Sequence, residues 1–363
     1  MKRYLKLLQG ICSNEKPARG PFFCSISLTQ RCNSNCTGCR FHSNKAVRLP
    51  GAGQDIAFDI VDNLLRELHA MDTSTLLLSG EGEPLLHPRI FDITRRAKEL
   101  RFNTTILTNG KLLNERSINT CIDQKVDTLQ VSLWAATPQT YIRQYPGADT
   151  EDLHTVLAAL KKIAALKKAR RSLRPRVNLH CPINRNNYRE VAQLARLAHE
   201  LGCQKISFAP LVTYHGRFAS DALTPQETTA LITELKRLRN ELAAEKLANN
   251  IPLVLLQYRV TKENGWRVPC YIGWYHTRVL ADGTVVPCSR CSIPLGNLRK
   301  DDFTSIWHAE PYRNFRKKTS AKAFADILEK TSDCNHCCFA ENNLRVERAF
   351  RYVRPFLSKY QAR

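Results

Sequence analysis

Arg31-Cys32-Asn33-Ser34-Asn35-Cys36-Thr37-Gly38-Cys39 is the stretch that decides how this chain is read. Its three cysteines are spaced C-x3-C-x2-C and directly follow residues 22–29, a β-prone run. Three thiolates on a loop suit a cubane 4Fe–4S cluster with one iron lacking a protein ligand, because structural clusters normally take four. An open coordination position is how metal sites announce reactivity. The competing assignment is a zinc knuckle completed by a distant fourth ligand.

Outward from the loop, strands and helices alternate. The runs 22–29, 75–79, 104–108, 126–133, 176–182 and 205–210 read as strands. Helical spacing appears over 55–70, where Val61, Leu64, Leu65 and Leu68 share a face, and over 88–100 and 152–168. Val191, Leu194, Ala198 and Leu201 mark another helix, and 225–248 reads as a bridge. Six strands separated by helices predict an α/β fold of parallel units, a partial (β/α)6 barrel. Ligands in such folds sit at the carboxyl ends of the strands. Cys32 to Cys39, Gly80 to Pro84, Asn109 and Ser132 all fall there.

The loop, placed after a first strand, resembles the motif of the radical S-adenosylmethionine (SAM) superfamily. Ser79-Gly80-Glu81-Gly82-Glu83-Pro84-Leu85 is similar to that family's GGEP segment after the second strand. Glycines let backbone approach a ligand, and a carboxylate suits an ammonium. The resemblance covers roughly residues 22–211. It implies a cluster held by Cys32, Cys36 and Cys39 whose open iron chelates SAM, and release of a 5′-deoxyadenosyl radical that abstracts hydrogen from a substrate. It implies SAM contacts at Gly80, Gly82, Glu83, Asn109, Ser132 and Asn184. One position departs: Gly38 is often aromatic in the family, so that packing must come from elsewhere.

The last quarter breaks the βα rhythm. Residues 276–287 hold two short β-prone stretches around Ala281-Asp282-Gly283, a hairpin signal. Cys270-x12-Gly283-x4-Cys288, then Cys334-x2-Cys337, can supply four thiolates, a closed cluster site. This order resembles the shortened SPASM ("twitch") domain, which implies one auxiliary 4Fe–4S cluster and two clusters in all. A zinc ribbon from Cys288, Cys291, Cys334 and Cys337 competes, but would strand Cys270. Cys291 and Cys338 are left over; Cys291 is a candidate hydrogen-atom donor or a packed thiol. The expected division is a basic segment 1–21, a core barrel with bridging helix 22–249, a cysteine-rich α+β domain 250–340 and a basic helix or tail 341–363.

The chain has 363 residues, 43% hydrophobic, which suits a globular protein with a full core. No apolar stretch is long enough to span a bilayer, and the basic N-terminus lacks a signal peptide's apolar core, so a cytoplasmic location is expected. Fourteen cysteines in that compartment read as ligands or core residues rather than disulfides. The net charge is +22, and 161–176 alone holds eight basic residues and no acid. Such a field favours an anionic substrate, anionic surfaces or an acidic partner, and equally a solvated surface.

The family resemblance implies a flavodoxin or ferredoxin-type electron donor. The auxiliary cluster would accept an electron from a substrate radical or order the pocket. About twenty residues precede the first strand, too few for a peptide-recognition domain, which favours a small biosynthetic intermediate over a peptide or protein. Dehydrogenase, epimerase and peptide-modifying outcomes all fit. A reading from another class is a basic, metal-stabilised binder of nucleic acid or membrane surface. Tyr214, His215 and Arg217, after the sixth strand, are candidates to face substrate.

Overall fold

The computed structural model describes residues 7–11, 17, 19–46, 53–259, 269–320 and 337–360, with backbone only over 353–360. Strands β1 (Phe23–Ser27), β2 (Thr75–Ser79), β3 (Asn103–Thr108), β4 (Thr128–Ser132), β5 (Arg176–Ile183) and β6 (Lys205–Pro210) run parallel and in order. Between them come helices α1 (Phe58–Ala70), α2 (Ile90–Glu99), α3 (Glu115–Asp123), α4 (Pro138–Gln144), α5 (Thr150–Ala169) and α6 (Val191–Glu200). After β6 follow α7 (Pro225–Ala244), β7 (Ala248–Asn249) and α8 (Ile251–Arg259). The cysteine-rich part contributes α9 (Ile272–Tyr275), β8 (His276–Val279), β9 (Thr284–Val286), β10 (Gly296–Asn297), α10 (Phe303–His308), α11 (Glu310–Ser320) and α12 (Ala340–Tyr360).

The ten strands form one sheet, ordered β10-β9-β8-β1-β2-β3-β4-β5-β6-β7, with β7 and β10 as its edges. It is therefore an open, partial barrel. Strand alternation decides its two faces. Cys24, Ile26, Leu76, Leu78, Ile106, Leu129, Val131, Val177 and Leu179 are buried in the apolar core. Their neighbours Ser25, Ser27, Ser79, Gln130, Ser132 and His180 take the other face, which is mostly polar but also carries Leu77 and Leu107. That face is bonded across strands: His180 Nδ1 lies 3.1 Å from Ser207 Oγ, and Ser25 Oγ lies 3.1 Å from His276 Nε2. A polar inner face is what a barrel that receives a ligand requires.

The helices start where the sequence offers caps. Asn114, Thr137 and Asp149 each accept a hydrogen bond from the backbone N–H three residues on. Thr224 and Glu227 close a capping box on α7, with Pro225 in the first turn. That helix ends at Ala244, short of the expected 248. Lys246 turns left-handed (φ +58°), Leu247 is buried, and Ala248–Asn249 pairs with β6 as a seventh parallel strand.

The second unit continues the barrel. β8 pairs in parallel with β1, Phe23 opposite His276 and Ser25 opposite Arg278, so residues far apart in sequence share the inner face. The β8–β9 hairpin turns at Asp282-Gly283 as expected. Gly283 has φ +86°, and its N–H donates to Leu280 O at 2.9 Å. In α12, Val346 is buried, and Asn343 Oδ1 accepts from Tyr271 N at 2.9 Å and Tyr275 Oη at 3.1 Å.

Candidate functional site

The cysteine loop is clasped by the segments that follow the parallel strands and by the end of helix α4. Gly82 N–H donates to Thr29 O (3.0 Å) and Glu83 N–H to Arg31 O (2.8 Å). A side chain at Gly82 would put a carbon 1.9 Å from Arg31 O, and one at Gly80 would meet Gly82 O at 2.0 Å. These glycines are there because two backbones touch. From β3, Asn109 Nδ2 donates to Asn33 Oδ1 (2.7 Å) and Ser34 Oγ (3.2 Å). From α4, Gln144 O accepts from Thr37 N, and Gln144 Oε1 accepts from Thr37 Oγ1, both at 2.9 Å.

Glu83 sits at the hub, 2% exposed. Its carboxylate accepts from Thr108 Oγ1 (2.7 Å), Asn109 N (2.7 Å) and Leu85 N (3.1 Å). Burial pushes its pKa up to about 7 in spite of those donors. Three bonds leave one of about four acceptor positions for a ligand.

Cys39 raises the thiol pKa of Cys32, and Cys39 and Cys32 both raise that of Cys36, so the three side chains lie in one electrostatic neighbourhood. Burial is the first cause in each: Cys32 is pushed up to about 11, Cys36 well above its ordinary value, and Cys39 also upward. Thiolates gathered out of water need a cation to hold them. Beside them a cavity of about 310 Å³ is lined by Cys32, Asn33, Ser34, His42, Lys111 and Tyr145, among others. Soft thiolate donors on one loop with adjoining empty volume fit an iron–sulfur cluster and its ligand.

Gly38 shows where the departure from the family pattern went. A carbon there would lie 2.6 Å from Leu211 Cδ1 and 3.1 Å from the Trp134 ring. Trp134 fills the space an aromatic at position 38 would need. Gly38→Phe should therefore destabilise the protein by about 1–3 kcal/mol. Trp134→Ala in the same chain should recover about half of that or more; strict additivity in urea denaturation would sink the exchange.

The remaining expected residues scatter. Ser132 Oγ accepts from Trp134 Nε1 at 2.8 Å. Asn184 is fully buried, its amide paired twice with Gln144 at 2.9 Å, so it reaches the cysteine loop through Gln144 and Thr37. Tyr214 and His215 are both left-handed (φ +46° and +60°). Tyr214 lies under the Arg40 guanidinium, 5.1 Å away; His215 is exposed, and Arg217 donates to Lys45 O at 3.0 Å.

In the second unit Cys270, Cys288, Cys291 and Cys337 line one small cavity together with Phe315 and Phe339. Cys288 and Cys291 form an isolated β-bridge. Cys334 lies outside the described residues, and Cys338 is exposed. Cys291, left over in the sequence, thus stands among the expected ligands. Among the described residues no three His, Cys, Asp or Glu side chains converge on a single-ion position. None of the described helices is long and apolar enough to cross a membrane.

Three residues of the inner face escaped the sequence reading. Glu81 is 3% exposed, and its Oε2 accepts from Ala281 N at 3.0 Å, tying the loop after β2 to the hairpin. Arg278 on β8 and Arg40 beside Cys39 both act on it electrostatically. The only local signal was an arginine inside a short β-prone run.

Comparison with known proteins agrees with this geometry. A family model described as the radical SAM superfamily matches residues 26–198, and one described as an iron–sulfur cluster-binding (SPASM) domain matches 270–338. The AdoMet-dependent heme synthase of Methanosarcina barkeri is 26% identical over 333 residues, covering 87% of this chain and 91% of that protein. The PqqA peptide cyclase of Gluconobacter oxydans is 23% identical over 309 residues, 82% of this chain and 80% of that one. The fold is that of Streptococcus suis SuiB bound to precursor peptide SuiA (TM-score 0.65, 14% identity, 93% and 80% coverage). A clasped three-cysteine loop at the strand ends and both family matches lead to one assignment: the chain carries a radical SAM domain, which binds SAM and a 4Fe–4S cluster, and a SPASM domain, which binds an auxiliary iron–sulfur cluster.

Proposed function

We propose that this enzyme reductively cleaves SAM and abstracts hydrogen from a small biosynthetic intermediate, taking its electron from a flavodoxin or ferredoxin-type donor. The observation that carries the reading is the clasp of Gly82, Glu83 and Asn109 around the loop of Cys32, Cys36 and Cys39. When bound, the reduced cluster supplies the electron that breaks the sulfonium bond and yields a 5′-deoxyadenosyl radical. The chain's own work is positional. Cys32, Cys36 and Cys39 hold the cluster; Gly80 and Gly82 bring backbone up to SAM. Glu83, anchored by Thr108 and Asn109, offers its remaining acceptor position to the SAM ammonium. Cys270, Cys288, Cys334 and Cys337 would hold the auxiliary cluster, which would supply an electron acceptor for the substrate or help to order it.

The near-full-length match to a heme synthase supports a small-molecule substrate, and the peptide-cyclase relative supports a second reading, modification of a peptide. Deuterium transfer from labelled candidate substrates into 5′-deoxyadenosine separates them. Transfer only from a peptide would overturn the first.

Glu83 gives the reading a pH signature. With its pKa raised to about 7, the carboxylate is protonated below that pH and loses its attraction for an ammonium. SAM affinity should weaken as pH falls from 8.5 to 6, by up to about tenfold per unit below pH 7. Glu83→Gln should bind more weakly and without that slope. A wild-type titration flat across the range would contradict the assignment.

A further inference from the structure

Arg278 is 7% exposed, yet it makes one hydrogen bond, from Nη2 to Ser27 Oγ at 3.0 Å. Its Nε–H is buried without a partner, and among the described residues it forms no ion pair. Burying a guanidinium with an unpaired donor is expensive. The strand pairing fixes its place: Arg278 stands opposite Ser25 on the inner face. Its charge is felt by Glu81 on the side of the SAM loop and by Cys288 on the side of the auxiliary site.

A second guanidinium adds to the first. Arg40, next to Cys39, lies over the rings of Phe41 (4.5 Å) and Tyr214 (5.1 Å) and repels Arg278 electrostatically. Glu81 and Asp282 are the acidic groups nearby; the Glu81 carboxylate is already bonded to Ala281 N–H at 3.0 Å and that of Asp282 to Thr284 N–H at 2.8 Å. Both nearby carboxylates are thus bonded to backbone N–H groups, and the Arg278 Nε–H stays unpaired on the inner face. A guanidinium presents a planar fork that matches a carboxylate.

We propose that Arg278, with Arg40, binds a carboxylate of the substrate and so sets the substrate between the two cluster sites. This rests on the radical SAM reading above and names the substrate class: a carboxylate-bearing molecule.

The test uses the reconstituted protein with oxidised clusters and propionate as probe, followed by saturation-transfer NMR at constant ionic strength. Propionamide and inorganic phosphate serve as comparison ligands, and Arg171→Gln controls for the basic surface. Propionate should bind and propionamide should not. Arg278→Gln should weaken propionate at least tenfold with iron content and cluster absorbance unchanged, and Arg40→Gln should weaken it about threefold. Because an unpaired buried charge is being removed, Arg278→Gln should melt no lower than wild type. If Arg278→Gln does not fold, the Arg40→Gln result decides. Propionate affinity within twofold of wild type in these variants, or phosphate bound more tightly than propionate, would overturn the proposal. SAM cleavage under dithionite, measured alongside, belongs to the underlying reading and stands or falls separately.

Discussion

The variant C32A/C36A/C39A is expected to lose about four irons per chain and to form no 5′-deoxyadenosine above background, while keeping its auxiliary cluster. The three thiols share one loop, and Cys39 raises the thiol pKa of both Cys32 and Cys36, so they act as a unit. Removing all three leaves no thiolate there to hold iron. The fold should survive the change, because the loop is held by other groups. Asn109 bonds Asn33 and Ser34, Gln144 bonds Thr37, and Gly82 bonds Thr29. The cavity of Cys270, Cys288 and Cys337 shares no lining residue with the first one. Iron analysis and electron paramagnetic resonance of the reduced variant should show one remaining cluster signal. Loss of both clusters would mean that the two sites are not independent.

Gly82→Ala should be nearly as damaging without touching a ligand. The added carbon meets Arg31 O at 1.9 Å and Arg31 C at 2.5 Å, which are backbone atoms with no rotamer to yield. The two loops must part, giving up the bonds from Gly82 N–H to Thr29 O and from Glu83 N–H to Arg31 O. Glu83 then leaves the position set by Thr108 and Asn109. A stability loss of about 3 kcal/mol or more in urea is expected, the size typical of forced backbone movement in a packed region. SAM affinity should drop at least tenfold. Affinity within twofold of wild type would show that this contact does not shape the site.

These two positions were legible in the sequence for a physical reason. Cysteine spacing and a glycine-rich turn are local, and so are the strand and helix periods that place them at strand ends. The strands β2 and β6 were readable to the residue because Gly80 follows the first and Pro210 closes the second. Helix α3 was not: its sequence is mostly polar, with Ile118, Cys121 and Ile122 as its apolar face and a cap at Asn114. The bridging helix was read too long because residues 242–248 contain no glycine or proline to stop it, although Lys246 has already left the helix. The pairing of β8 with β1 joins residues about 250 apart, and no local pattern encodes it. That pairing alone brings Arg278 to Ser27 and Glu81, so the polar inner face between the two cysteine sites had to be seen in the fold.

The most direct measurement is SAM cleavage by the anaerobically reconstituted, dithionite-reduced chain, read as 5′-deoxyadenosine by mass spectrometry. The account predicts 5′-deoxyadenosine from the wild type and none from C32A/C36A/C39A. A wild-type preparation that holds its clusters, binds SAM and yields no 5′-deoxyadenosine would contradict it.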